Sequence, residues 1–327
     1  MRLISFIIMF FLSRLLFGQS THILFGERDL KNENFGVYFD KEGSPYPDYL
    51  ISNTSLNNNN ASLINWYAKN QTDFINIARL YNCFFEKCTE ENCYILNDSI
   101  ISSIKKRINQ KKEEYSSVSF LIHGYRKPFV KTNNDRTSPR DYATLEETIS
   151  KTIKTYYVEV YWDAMYDCCY STNRKKNKEL DHLLEEEKKN ALPVGHSLRK
   201  VMNNLSFDTI NIVTHSLGAE VALQSLCNTT DCKISTPFAK RVNVCLIAPA
   251  LSEDSFKDYY KRQTNVDFKE NDNYKLAILY NEKDFVLRKK VGWFGPGPKR
   301  YVNTTLGCNN KGCAIDLNKY FKTNYIN

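Results

Sequence analysis

From Ser117 onward the chain repeats one pattern, a short apolar run rich in β-branched and aromatic residues followed by a polar stretch with helix signals. The runs are 118–122, 156–162, 209–214, 242–248 and 275–280. Each has the length and composition of a strand buried on both faces. Helices are expected between them. One starts near Ser138-Pro139, with serine as cap and proline at the first helical position, and runs to about Thr155. Others are read over 178–189, continuing through 195–204, and over 217–227. Strands separated by helices cannot pair as tight hairpins, so the crossovers bring them together parallel. The expected architecture is therefore α/β, a mostly parallel sheet with helices on both faces. Ligands of such sheets bind beyond the carboxyl ends of the strands, which is where chemistry should be sought.

Three run ends carry candidate chemistry. The run 209–214 passes straight into His215-Ser216-Leu217-Gly218 and then into a helix. A serine on so abrupt a strand-to-helix turn is lifted out of the sheet as an exposed nucleophile. The turn wants small residues two before and two after the serine. Gly218 meets the second demand, and Thr214 stands where the Gly-x-Ser-x-Gly pattern has its first glycine. The helix start also aims backbone N–H groups at a developing oxyanion. The competing role for Ser216 is that of an ordinary helix cap. The run 118–122 ends in His123-Gly124-Tyr125, a loop suited to supplying a second oxyanion donor. The run 275–280 ends in Asn281-Glu282-Lys283-Asp284, where an acid could orient an imidazole. Asp284 is the first candidate and Glu282 the reserve. A solvated charged turn is the alternative.

The order strand–His-Gly, strand–elbow, strand–Asp resembles the α/β-hydrolase superfamily. It is similar to uncharacterised secreted bacterial members of lipase and esterase type, over about 117–327. The resemblance implies that Ser216 is the catalytic nucleophile and Asp284 the catalytic acid. The backbone N–H groups of Tyr125 and Leu217 would form the oxyanion hole, and His123 would shape its loop by hydrogen bonding. It implies neither metal nor cofactor, and a small-molecule or lipid acyl ester as substrate. The family's triad ends in a histidine after the acid. Here the histidines are His22, His123, His182, His196 and His215, none beyond Ser216, and the closing helix expected after that histidine is not found. Two readings stand. One is a serine ester hydrolase whose base is unseen or whose C-terminal part is missing. The other is a catalytically inactive, hydrolase-like secreted binding or scaffold protein.

The first 20 residues read as a signal peptide: Arg2, an apolar stretch over 3–12, and small residues at Gly18-Gln19-Ser20. That stretch is shorter than the roughly 20 residues a membrane span needs, so no stable span is expected. The mature chain is expected to be secreted or periplasmic. Ten cysteines suit an oxidising compartment. Cys227 with Cys232 and Cys308 with Cys313 are expected to form local bridges, while Cys83, Cys88 and Cys93 form an evenly spaced trio and Cys168-Cys169 are adjacent. Residues 21–116 are an Asn-rich N-terminal region expected to pack on the core of 117–327, which carries a helical insertion about 164–194. Within that first region, 35–39 reads as a strand, and 62–81 and 100–112 carry helical spacing. The net charge is +8, but the strongest basic cluster, 174–178, is short and reads as a solvated loop. No nucleic-acid partner is expected from it. Nothing in the sequence addresses oligomeric state.

Overall fold

Parallel strands account for the whole sheet of this computed structural model. The structure describes residues 35–51, 62–124, 138–162, 174–227, 233–237, 239–251, 267–268, 270–283, 306–308 and 323–326. Among these, seven strands appear: β1 (Phe35–Tyr38), β2 (Ser117–Ile122), β3 (Tyr156–Tyr161), β4 (Thr209–His215), β5 (Arg241–Ile247), β6 (Tyr274–Leu279) and β7 (Thr323–Ile326). They lie in the order β1-β3-β2-β4-β5-β6-β7, and every neighbouring pair is parallel. The expected α/β fold is the fold found. β2 is buried along its entire length and β4 through its middle residues. Burial on both faces is why these runs are mostly apolar, and the buried polar side chains of Ser119 and Asn211 within them hydrogen-bond to each other.

The helices are α1 (Asp48–Ile51), α2 (Leu63–Lys69), α3 (Gln71–Leu80), α4 (Glu90–Asn109), α5 (Ser138–Ser150), α6 (Arg174–Met202) and α7 (Gly218–Cys227). β2 and β4 are neighbours, yet β2 leads outward to β3 while β4 leads outward the other way to β5. Right-handed crossovers therefore set α5 and α7 on opposite faces. α6 packs along α7. The winding direction reverses between β2 and β4, so the carboxyl ends of these two strands form the crevice of the sheet.

Several elements differ from the sequence-based expectation. The apolar spacing over 62–81 is split into α2 and α3 at Asn70, whose backbone is non-helical (φ −122°, ψ 62°). The Asn70 side-chain amide donates to the Trp66 carbonyl at 2.8 Å, closing the end of α2. α4 starts at Glu90, well before the expected 100. Its cap is Thr89, whose hydroxyl accepts the Asn92 N–H at 3.1 Å, and Glu90 and Glu91 complement the dipole in the first turn. That first turn is mostly polar, so apolar periodicity hides it. α5 ends at Ser150, short of Thr155. α6 continues unbroken through Pro193, and the basic cluster 174–178 lies on its first turns rather than in a loop.

The N-terminal elements share one apolar core with the sheet: Tyr67, Phe74 and Leu96 belong to the same buried cluster as Phe120 and Ile212. β1 pairs with β3 in register from Phe35↔Val158 to Tyr38↔Tyr161. Just beyond β1, the buried Asp40 carboxylate accepts N–H groups of Glu42 (2.9 Å), Ser44 (2.7 Å) and Leu63 (2.7 Å). It thereby ties the strand's exit to the start of α2. Arg199 of α6 is fully buried and donates to the carbonyls of Gln224, Ser225 and Ile234. Two of these acceptors belong to the last turn of α7, where carbonyls lack helical partners. No helix among the described residues is long and apolar enough to cross a membrane.

Candidate active site

The turn from β4 to α7 places Ser216 at φ +53°, in the left-handed region that a non-glycine residue enters only at a cost. Its backbone is held from both sides. The Ser216 N–H donates to the Ile247 carbonyl at 2.9 Å, and the Ser216 carbonyl accepts from Ala219 (3.3 Å) and Ala250 (3.1 Å). The loop leaving β5 thus fixes the strained turn. That loop is pinned in turn: Ala248 donates to Leu279, Gly307 to Pro249 and Leu306 to Leu251. No local sequence pattern around Ser216 reports the contacts with Ile247 and Ala250, because both lie far along the chain.

Two glycines let the β2 loop and the elbow touch. A Cβ on Gly124 would stand 2.6 Å from the His215 carbonyl oxygen, 2.8 Å from the Ser216 Cβ and 2.9 Å from the Leu217 nitrogen. A Cβ on Gly218 would stand 2.6 Å and 2.7 Å from the carbonyl oxygens of Ile122 and His123. Both positions need the missing side chain. Thr214 sits instead inside the ladder, opposite Ile122 and Leu246. The close approaches fall at Gly124 and Gly218, so the strand position before the turn has room for a threonine. Thr214 is fully buried, and its hydroxyl has no hydrogen-bond partner among the described residues.

His123 is built into the scaffold. Its side chain is 1 % exposed. Its Nε2 accepts the Trp162 backbone N–H at 3.2 Å, so Nδ1 carries the proton and donates to the Gly124 carbonyl at 2.6 Å. The Trp162 indole N–H donates to the His123 carbonyl at 2.8 Å, and the His123 N–H donates to the Tyr142 hydroxyl at 2.7 Å. That hydroxyl donates onward to the Val160 carbonyl at 2.5 Å. α5 and the end of β3 thereby position the His-Gly turn. Sequence reading found His123 but not Tyr142 or Trp162, whose aromatic rings read locally as ordinary core.

The four residues read as a site divide as follows. Ser216 and Leu217 occupy the elbow, with the Leu217 nitrogen facing Gly124. Tyr125 directly follows Gly124 but lies outside the described residues, as does Asp284. β6 leads to Asn281, whose side-chain oxygen accepts the Lys283 N–H at 3.0 Å. Glu282 in that turn is exposed. β6 lies two strands from β4. Strand spacing puts their carboxyl ends about 10 Å apart. Cys232 and Cys313 are outside the described residues, so neither expected local bridge can be located. No cluster of three or more His, Cys, Asp or Glu side chains suited to a metal ion occurs among the described residues. No protein-family model, curated protein or solved structure matches this chain.

Proposed function

We propose that this protein is a serine hydrolase of α/β-hydrolase type acting on a small-molecule or lipid acyl ester, with Ser216 as nucleophile. The observation that supports this most is the conformation of Ser216. It is a non-glycine residue held at φ +53° on a strand-to-helix turn, in the crevice between β2 and β4. Strain of this kind is kept where surrounding contacts enforce it, and it projects the side chain beyond the sheet. In this reading the Ser216 hydroxyl attacks the acyl carbon and the carbonyl oxygen becomes an oxyanion. The N–H of Leu217, at the start of α7, and that of Tyr125 stabilise the oxyanion. Asp284 orients the imidazole that takes the serine proton. His123 is not that imidazole, because both its ring nitrogens are engaged with backbone.

The test is labelling by a fluorophosphonate, which reacts with activated serines. The purified chain should label and hydrolyse short-chain acyl esters, and Ser216→Ala should lose both. Single alanine variants of His22, His182, His196 and His215 ask whether any of them serves as the base: one that does should also lose labelling. A second reading, a hydrolase-like binding or scaffold protein, rests on the engagement of His123, the histidine closest to the elbow along the β2 loop. It predicts a folded chain that neither labels nor turns over ester, because a serine without its base is a weak nucleophile. Export after removal of residues 1–20 belongs to the same proposal. N-terminal sequencing of protein recovered outside the cells should begin near Thr21, and a start at Met1 would count against it.

A further inference from the structure

The cap of α4 brings two thiols together. Thr89 is the N-cap, so Cys88 holds the position before the cap and Cys93 the fourth helical position. Side chains at these two positions pack against one another across a helix start, an arrangement usually filled by apolar residues. Here both are cysteines, and their sulfurs lie 3.3 Å apart. That is closer than two unbonded sulfurs normally approach.

We propose that Cys88 and Cys93 form a disulfide that fastens the N-terminal end of α4. Cys83, the third member of the trio, is occupied elsewhere: its sulfur lies 3.2 Å from the Ser99 hydroxyl. The segment carrying Cys88 is already held in place, since the Cys88 N–H donates to the Gln71 side chain at 2.6 Å and the Asn92 amide donates to the Lys87 carbonyl at 3.0 Å. The thiol positions are therefore set before any bond forms.

Exposure sets the order of events. Cys93 is fully buried, whereas Cys88 is partly open to solvent. Burial, then the neighbouring Cys88 thiol, push the Cys93 thiol up to about 12. The Cys88 thiolate thus attacks a small disulfide oxidant such as oxidised glutathione, forming a mixed disulfide and releasing one thiol. Cys93 then gives up its proton and attacks the Cys88 sulfur, displacing the second thiol. Two cysteine thiols and one external disulfide become one protein disulfide and two external thiols.

The experiment is disulfide mapping of the full chain after equilibration with oxidised glutathione. Free thiols are blocked without reduction, and the protein is cut after glutamate. Cuts after Glu86, Glu90 and Glu91 separate Cys83, Cys88 and Cys93 onto three peptides. The expected result is the peptide of residues 87–90 linked to the peptide beginning at Asn92. The linked form should melt a few degrees above the reduced one, as closing so short a loop stabilises modestly. Cys88 and Cys93 both recovered blocked, or either linked to another cysteine, would overturn the proposal. In Cys93→Ser the glutathione adduct should remain on Cys88, and in Cys88→Ser it should not form on Cys93. The reverse pattern would refute the order of attack.

Discussion

Gly124 and Ser216 are in direct apposition: a Cβ added to Gly124 would lie 2.8 Å from that of Ser216. Two strands distant in sequence therefore meet at their carboxyl ends with no side chain between them. The contact exists because β2 and β4 are paired in register up to Ile122↔Thr214, so the residues just beyond the ladder must turn past each other.

Gly124→Ala should be costly. Its methyl would press on the backbone of His215 and Leu217 as well as on Ser216, and backbone yields less readily than a flexible side chain. The expected loss is about 1–3 kcal/mol in urea unfolding, as for other overpacked sites. Serine labelling should fall at least tenfold. A variant as stable as the parent would show that the loop moves aside freely.

Ser216→Gly should be more stable than Ser216→Ala by about 1 kcal/mol, since only glycine adopts a positive φ without a Cβ penalty. Neither should label. Paired urea curves decide this. Equal midpoints would mean that the turn relaxes out of the left-handed region once the serine hydroxyl is gone.

Tyr142→Phe should destabilise by about 1–3 kcal/mol, because the buried His123 N–H loses its acceptor and the Val160 carbonyl loses a donor. Activity should drop with it if the His-Gly loop positions an oxyanion donor. Thermal unfolding at matched pH is sufficient to test the stability effect. A change below a few tenths of a kcal/mol would remove Tyr142 from the account of this loop.

Asp40 should make folding stability fall as pH rises from about 4 to about 7. Burial raises its carboxyl to about 7 in the folded chain, against the opposing N–H bonds from Leu63 and Ser44. Between its ordinary value of 3.8 and about 7, the unfolded chain has released this proton while the folded chain holds it. The unfolded state binds fewer protons, so stability declines by about 1.4 kcal/mol per pH unit across the window and levels off above it. Urea midpoints of the parent and of Asp40→Asn, measured from pH 4 to 8, should differ by an amount that changes with pH in this sense. A constant difference would contradict it.

What the sequence determined by itself was local. The runs at 118–122 and 209–214 declare strands because they are short, mostly apolar and rich in β-branched residues, and β2 and β4 contain them. The abrupt passage through His215-Ser216-Leu217-Gly218 declares an elbow because strand and helix signals abut without a linker. The start of α4 escaped notice because caps and acidic first turns carry no apolar period. Tertiary structure decided the rest. β1 lies beside β3 through pairing across more than a hundred residues of chain. The His123 tautomer is set by Trp162 and Gly124, and the Ser216 backbone by Ile247 and Ala250. Each of these depends on hydrogen-bond partners brought in by the crossover connections. Local propensity describes how a segment folds, whereas partner choice depends on which strand ends the winding of the sheet places side by side.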